Sequence, residues 1–192
     1  MSSTLKLFFT ALFILASITA CGPDALYDLS GDTHQLRNTD STLVNFPSDF
    51  KGELSLITFI YTNCPDVCPV ITANMTNIQR ALDDTTDINF IEISFDPDRD
   101  SPTALKKYKD LYNLNQQFTL LTSYPNNSDA LLDKLDIIAQ KTYANPDSSN
   151  YDMRHSNTLY LMDRNGYIRA EYPAHRVTPE HVKDDINYLR SE

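Results

Sequence analysis

The amino-acid sequence predicts an α/β domain in which a central mixed β-sheet is flanked by helices. Two near-continuous β-branched and aromatic runs, Glu53–Tyr61 and Ile88–Phe95, have the composition of strands buried on both faces. Between them Ile71, Met75, Ile78 and Leu82 recur at helical spacing, so strand, helix and strand follow in the order of a parallel βαβ unit. The C-terminal part departs from that alternation: Thr158–Met162 and Tyr167–Tyr172 flank the turn residues Asp163-Arg-Asn-Gly166, the pattern of an antiparallel hairpin.

The other elements follow in chain order. Lys6 precedes an apolar run from Leu7 to Ala16, well short of the roughly 20 residues that span a bilayer, so residues 1–20 read as an export signal. The sequence Ile18-Thr-Ala-Cys21 that closes it resembles a bacterial lipobox, which implies that Cys21 carries lipid and tethers the protein on the extracytoplasmic, periplasmic side of the cell membrane. Residues 21–40 are polar and aperiodic and are expected to be a flexible tether, leaving 41–192 as the folded domain. Thr42–Phe46 is expected to be a short strand, Pro102–Tyr112 a helix, Phe118–Leu121 a strand and Ser128–Ala139 a helix. A last helix opens at Thr178-Pro-Glu180, with an N-cap residue, a first-turn proline and an early acid.

This order is that of a thioredoxin-like fold, and it puts Cys64-Pro-Asp-Val-Cys68 after a central strand at a helix N-terminus. Unpaired amides and the helix dipole there make thiolate available near neutral pH. The chain has 192 residues, 16 basic and 26 acidic side chains and a formal net charge of −10. The leader removes one lysine, so the remainder is more acidic still; such a surface argues against nucleic acid and against peripheral binding to anionic lipid.

Of three cysteines, Cys21 is assigned to the lipid, which leaves Cys64 and Cys68 as a pair. Four residues apart on one helical turn, their Cβ atoms would lie about 5–6 Å apart. That suits two sulfurs converging on a metal better than a disulfide, whose Cβ atoms want about 3.8 Å. A Cys64–Cys68 bond is therefore expected to be reversible rather than structural, and a three-residue loop would constrain little of the unfolded chain. Of the four histidines, His34 falls in the expected tether and His175 and His181 in a polar C-terminal stretch, whereas His155 stands just before a hairpin strand, beside the cysteine loop in this fold. Two thiolates and one imidazole form a soft set that selects copper, Cu(I) above all, over hard cations. Zinc would ask for a fourth ligand, and Asp66 between the cysteines is as well placed to cap the helix. Asp96, Asp98 and Asp100 imitate the start of a calcium loop, but Ser101 replaces the glycine and Lys107 stands at the glutamate position, so calcium is rejected.

Cys64-Pro-Asp-Val-Cys-Pro69, Asp96-Pro-Asp-Arg-Asp-Ser-Pro102, Tyr151-x-Met-x-His-Ser156 and Tyr160-Leu-Met-Asp-x-x-Gly166 together resemble the Sco/SenC family, from about Phe50 to the C-terminus. The resemblance implies a membrane-tethered copper metallochaperone that delivers copper to, or maintains the thiols of, the CuA site of cytochrome c oxidase. By position it makes Cys64, Cys68 and His155 the copper ligands. Cytochrome c oxidase subunit II or another copper enzyme is then the expected partner, alongside thiol-disulfide or copper-donor proteins. Asn63, where the family often has an aromatic residue or histidine, and Ile60-Tyr61, near an expected glycine, depart from its pattern at positions that tune rather than hold a metal.

Other classes share the fold. An extracytoplasmic thiol-disulfide oxidoreductase would use Cys64 and Cys68 as a redox pair without needing His155. A thiol peroxidase would want a threonine three residues before the reactive cysteine, where Tyr61 stands.

Overall fold

A computed structural model describes residues 24–125, 130–143 and 151–192. The expected leader and Cys21 lie outside the described residues. Among the described residues no helix is long and apolar enough to cross a membrane.

Three parallel strands form the centre of the sheet: β4 (Leu54–Ile60), β5 (Ile88–Ser94) and β6 (Phe118–Thr122). Every residue of β4 is buried, which is why its sequence does not alternate. Helix α1 (Val67–Ala81) links β4 to β5 and buries Cys68, Ile71, Thr72, Met75 and Ile78, the stripe expected of a helix with one apolar face. Helix α2 (Pro102–Leu111) links β5 to β6; Ser101 caps it by accepting from the Ala104 amide at 3.3 Å, and Pro102 supplies the preset first turn.

The C-terminal hairpin, β9 (Thr158–Met162) and β10 (Tyr167–Pro173), adds to β4 antiparallel, so the sheet is mixed as expected. Gly166 closes its turn at φ +95°, and a Cβ there would sit 3.2 Å from the Ser30 Cα, so both backbone and space ask for glycine. Helix α4 (Pro179–Ser191) packs on α1 and buries Val182, Ile186 and Leu189. Thr178 takes the N-cap position, although its side chain makes no capping hydrogen bond.

The expected tether is corrected. Within it lie β1 (Tyr27–Asp28), paired with β10, and β2 (His34–Asn38), paired with β6 and with β3 (Leu43–Phe46). The main sheet has eight strands in the order β1-β10-β9-β4-β5-β6-β2-β3, so β1 closes one flank and β2, with β3 outside it, extends the other. Leu29 and Leu36 are buried in the core, and their burial holds an otherwise polar segment in place. The folded domain thus begins some 15 residues earlier than expected.

The helix expected over 128–139 is also shorter. Residues 128–129 of that span lie outside the described residues; α3 covers Ala130–Lys134, and Ala139 already opens strand β7 (Ala139–Thr142). Strand β7 pairs with β8 (Asp152–His155) in a separate two-stranded sheet, with Ala139 opposite His155.

Candidate metal centre

Strand β4 delivers the chain to Tyr61, and the next three residues turn it toward α1. The Cys64 amide donates to the Tyr61 carbonyl at 3.3 Å. Helix α1 begins at Val67, so only Cys68 is helical and Cys64 sits one turn outside, a correction to the expectation that both share a helical turn. The Cys68 amide, unpaired within the helix, donates to the Cys64 sulfur at 3.4 Å. Asp66 occupies the N-cap position but makes no capping bond.

His155 ends β8. Its ring packs edge-on against Tyr61 and tilted against Phe95, with centroids 5.6 Å and 4.9 Å away. His155 Nδ1 faces the Ser156 carbonyl oxygen at 2.9 Å; a carbonyl only accepts, so the proton is on Nδ1 and the Nε2 lone pair is free to ligate.

Ligand atoms of Cys64, Cys68 and His155 all lie within 4.8 Å of one another, and both cysteines are free. Two metal–sulfur bonds of about 2.3 Å span about 4.6 Å, so one cation fits among the three donors with little movement. Among the described residues this is the one His, Cys, Asp or Glu group close enough to share an ion. His34, His175 and His181 stand apart from it, and His34 lies in β2 rather than in a tether.

The two thiols are inequivalent. Burial is the largest influence on half-buried Cys64 and pushes its thiol up. The Cys68 and Asp66 amides, with the Cys68 thiol and the Tyr61 hydroxyl, outweigh it and leave Cys64 more acidic than an ordinary cysteine. Cys68 is fully buried, and burial pushes its thiol far up, with Cys64 adding to the effect.

The loop from Asp96 to Asp100 braces this centre, and each of its acids is engaged within the protein rather than left for calcium. Buried Asp100 accepts from the Thr62 amide at 2.9 Å, from the Thr62 hydroxyl at 2.6 Å and from Ser94 Oγ at 2.6 Å. Asp96 pairs with Arg99 and accepts from the Tyr151 hydroxyl at 2.6 Å, while Asp98 pairs with Lys141 at 2.6 Å. Arg99 also donates to the Tyr151 carbonyl at 2.7 Å, with its guanidinium 3.7 Å from the centre of the Tyr151 ring. The cysteine loop and the strand bearing His155 are therefore fastened to one turn of chain. Sequence reasoning missed Asp100 as the anchor of Thr62; its spacing to the cysteines carries no local signal.

A family model described as SCO1/SenC matches residues 25–190. The chain belongs to the SCO1/SenC family. A SCO2-like protein of Rickettsia typhi is 34% identical over 163 residues, covering 84% of this chain and 77% of that one. The SCO1 protein homolog of Bacillus subtilis is 30% identical over 182 residues, covering 92% and 91%. Among solved structures, a SCO1/SenC family lipoprotein from Bacillus anthracis superposes with a TM-score of 0.74 at 29% identity, over 85% of this chain and 95% of that one. Bradyrhizobium japonicum ScoI, solved with copper bound, gives a TM-score of 0.67 at 29% identity, over 82% and 97%. The thioredoxin-like architecture expected from the element order is the one these SCO1/SenC structures share.

Proposed function

We propose that this protein is a copper-binding assembly factor whose cargo is held by Cys64, Cys68 and His155 and passed to an oxidase or another copper enzyme. The observation that carries the reading is the convergence of two thiols and one imidazole within 4.8 Å, a donor set that favours a soft cation. Copper in the Bradyrhizobium relative and the description of BsSco, a solved structure 27% identical to this chain, as a member of the Sco family of cytochrome c oxidase assembly proteins support it. The CuA site of subunit II is the recipient we favour. Cys64, half exposed and acidic, is the ligand a partner's sulfur reaches first; buried Cys68 releases last. We place the protein outside the cytoplasm, held to the membrane by lipid on Cys21. That placement rests on the lipobox-like sequence and on the lipoprotein relative from B. anthracis.

The test is titration of the reduced protein with Cu(I) against a chelator of known affinity, repeated on His155→Ala. One-to-one binding that weakens by orders of magnitude in the variant is expected; unchanged affinity would remove His155 from the ligand set.

A second reading, thiol-disulfide exchange, is favoured by the inequivalence of the thiols. The acidic, half-exposed Cys64 is built to attack and buried Cys68 to resolve. BsSco is described as having a disulfide switch. A His155→Ala protein that still reduces disulfides while Cys64→Ser does not would assign that activity to the pair.

A further inference from the structure

Leu26 and Tyr188 leave 54% and 63% of their surface exposed, and both stand beside the first described residue, Asp24. Tyr188, near the end of α4, and Asp24 line one groove of about 220 Å³, floored by Ala170 and the buried side chains of Leu161 and Leu189. Leu26 follows Asp24 by two residues and donates its amide to the Ile168 carbonyl at 2.8 Å, on the strand that carries Ala170. Tyr27 turns its ring inward, edge-on to Tyr160 at 6.3 Å, while Leu26 stays in the open. A lone exposed apolar side chain needs no explanation, whereas two around one apolar groove form a patch.

The charges around the patch are matched within the domain. Arg169 is the one cation lining the groove among the described residues; it donates to the Asp24 carbonyl at 3.0 Å and pairs with Glu192 at 2.8 Å and Asp163 at 3.2 Å. Asp185 accepts from the Tyr172 hydroxyl at 2.6 Å. What the patch offers outward is an aliphatic side chain and a phenol ring, a pair suited to the boundary between lipid headgroups and acyl chains.

Only Gly22 and Pro23 stand between Asp24 and Cys21. We propose that this patch is the face the domain sets on the bilayer, with Leu26 and the Tyr188 ring at headgroup level. The proposal rests on the lipid anchor at Cys21 and not on the copper reading, since a link of two residues brings the lipid surface to the groove that Asp24 lines. The lipid it fits is neutral, because a chain of net charge −10 is repelled by an anionic surface. The contact also fixes which way the domain faces. Through Ile168 and Met162, Leu26 lies level with Ser55 at the start of β4, whereas Cys64 follows the end of that strand, roughly 20 Å further on. Lipid contact at one end of the strands leaves the metal centre at the other end open to a recipient.

The chain has no tryptophan, so one introduced at a time reports its own position. The full chain, produced with its leader in a bacterial host, is reconstituted into phosphatidylcholine vesicles whose acyl chains carry bromine, a contact quencher of tryptophan. Tyr188→Trp and Leu26→Trp are compared with Leu43→Trp, 46% exposed on β3 at the opposite edge of the sheet. Vesicle flotation of each is recorded first. Both patch variants should be quenched several times more strongly than Leu43→Trp. Flotation with equal quenching, or none, at all three positions would overturn the lipid-facing patch and leave the anchor standing. Tyr188→Trp emission that moves to the blue as protein concentration rises in detergent, without quenching on vesicles, would give the patch to a second copy and overturn the proposal as well. Protein that does not float would overturn the anchor and the patch together.

Discussion

Asp100 grips Thr62 twice, through the amide at 2.9 Å and the hydroxyl at 2.6 Å, and so fixes the chain two residues before Cys64. The grip couples the α2 entry loop to the metal centre, because Ser94 and Thr62 share one buried carboxylate. Asp100→Ala strands three donors at once and is expected to lower stability by about 2–4 kcal/mol. Copper affinity should fall with it although no ligand is altered. Denaturant unfolding and chelator competition on the same samples check both.

Cys64 and Cys68 should react in a fixed order. Cys64 is acidic and half exposed, and Cys68 is buried with its thiol pushed far up. Iodoacetamide at pH 7 is expected to label Cys64 first, and Cys68 only when the fold opens. Mass mapping of the first labelled peptide checks the order; Cys68 labelling first would contradict the assigned environments.

Tyr151 anchors the start of β8, four residues before His155. Its hydroxyl donates to buried Asp96 at 2.6 Å. Tyr151→Phe removes that bond and should cost about 1.5–3 kcal/mol, as a hydrogen bond to a charged group does. The loss should appear as faster hydrogen exchange at the amides of β7 and β8, with the central strands unchanged.

Glu92 gives the fold a pH dependence of known sign. Its carboxyl, 4.5 in an ordinary setting, is raised by burial to about 7 in the folded protein. The folded state therefore binds the proton more tightly than the unfolded state. Its favourable contribution is complete below about 4.5 and disappears as pH rises through about 7. Glu92→Leu should gain stability relative to wild type between pH 5 and pH 8, by up to about 3 kcal/mol. Urea unfolding of both proteins at the two pH values measures the difference.

The centre of the molecule was readable from the chain, and its flanks were not. The runs Glu53–Tyr61 and Ile88–Phe95 are buried on both faces, so composition alone marks them, and α1 shows its buried stripe at regular spacing. β1 has two residues and β2 has one fully buried side chain, Leu36, in a polar setting. Their conformation comes from hydrogen bonds to β10 and β6, which are distant in sequence, and no local pattern encodes that pairing. The same holds at the site. Cys64, Cys68 and His155 carry chemistry that a reader can spot, whereas Asp100 and Glu92 matter through what the fold sets beside them.

Strand β1 also changes how far this protein can travel. With lipid on Cys21, a 20-residue tether could have let the domain range up to about 65 Å from its anchor. Asp24 is instead already held to the domain, its carbonyl accepting from Arg169 at 3.0 Å. Under the anchoring proposed at Cys21, only three residues would separate the lipid from Asp24, a reach of no more than about 10 Å. A domain so anchored would stay against the lipid surface and could not search the space above it. A recipient would then have to bring its own metal-accepting face down to that layer, and lateral diffusion in the membrane rather than the swing of a linker would set the encounters.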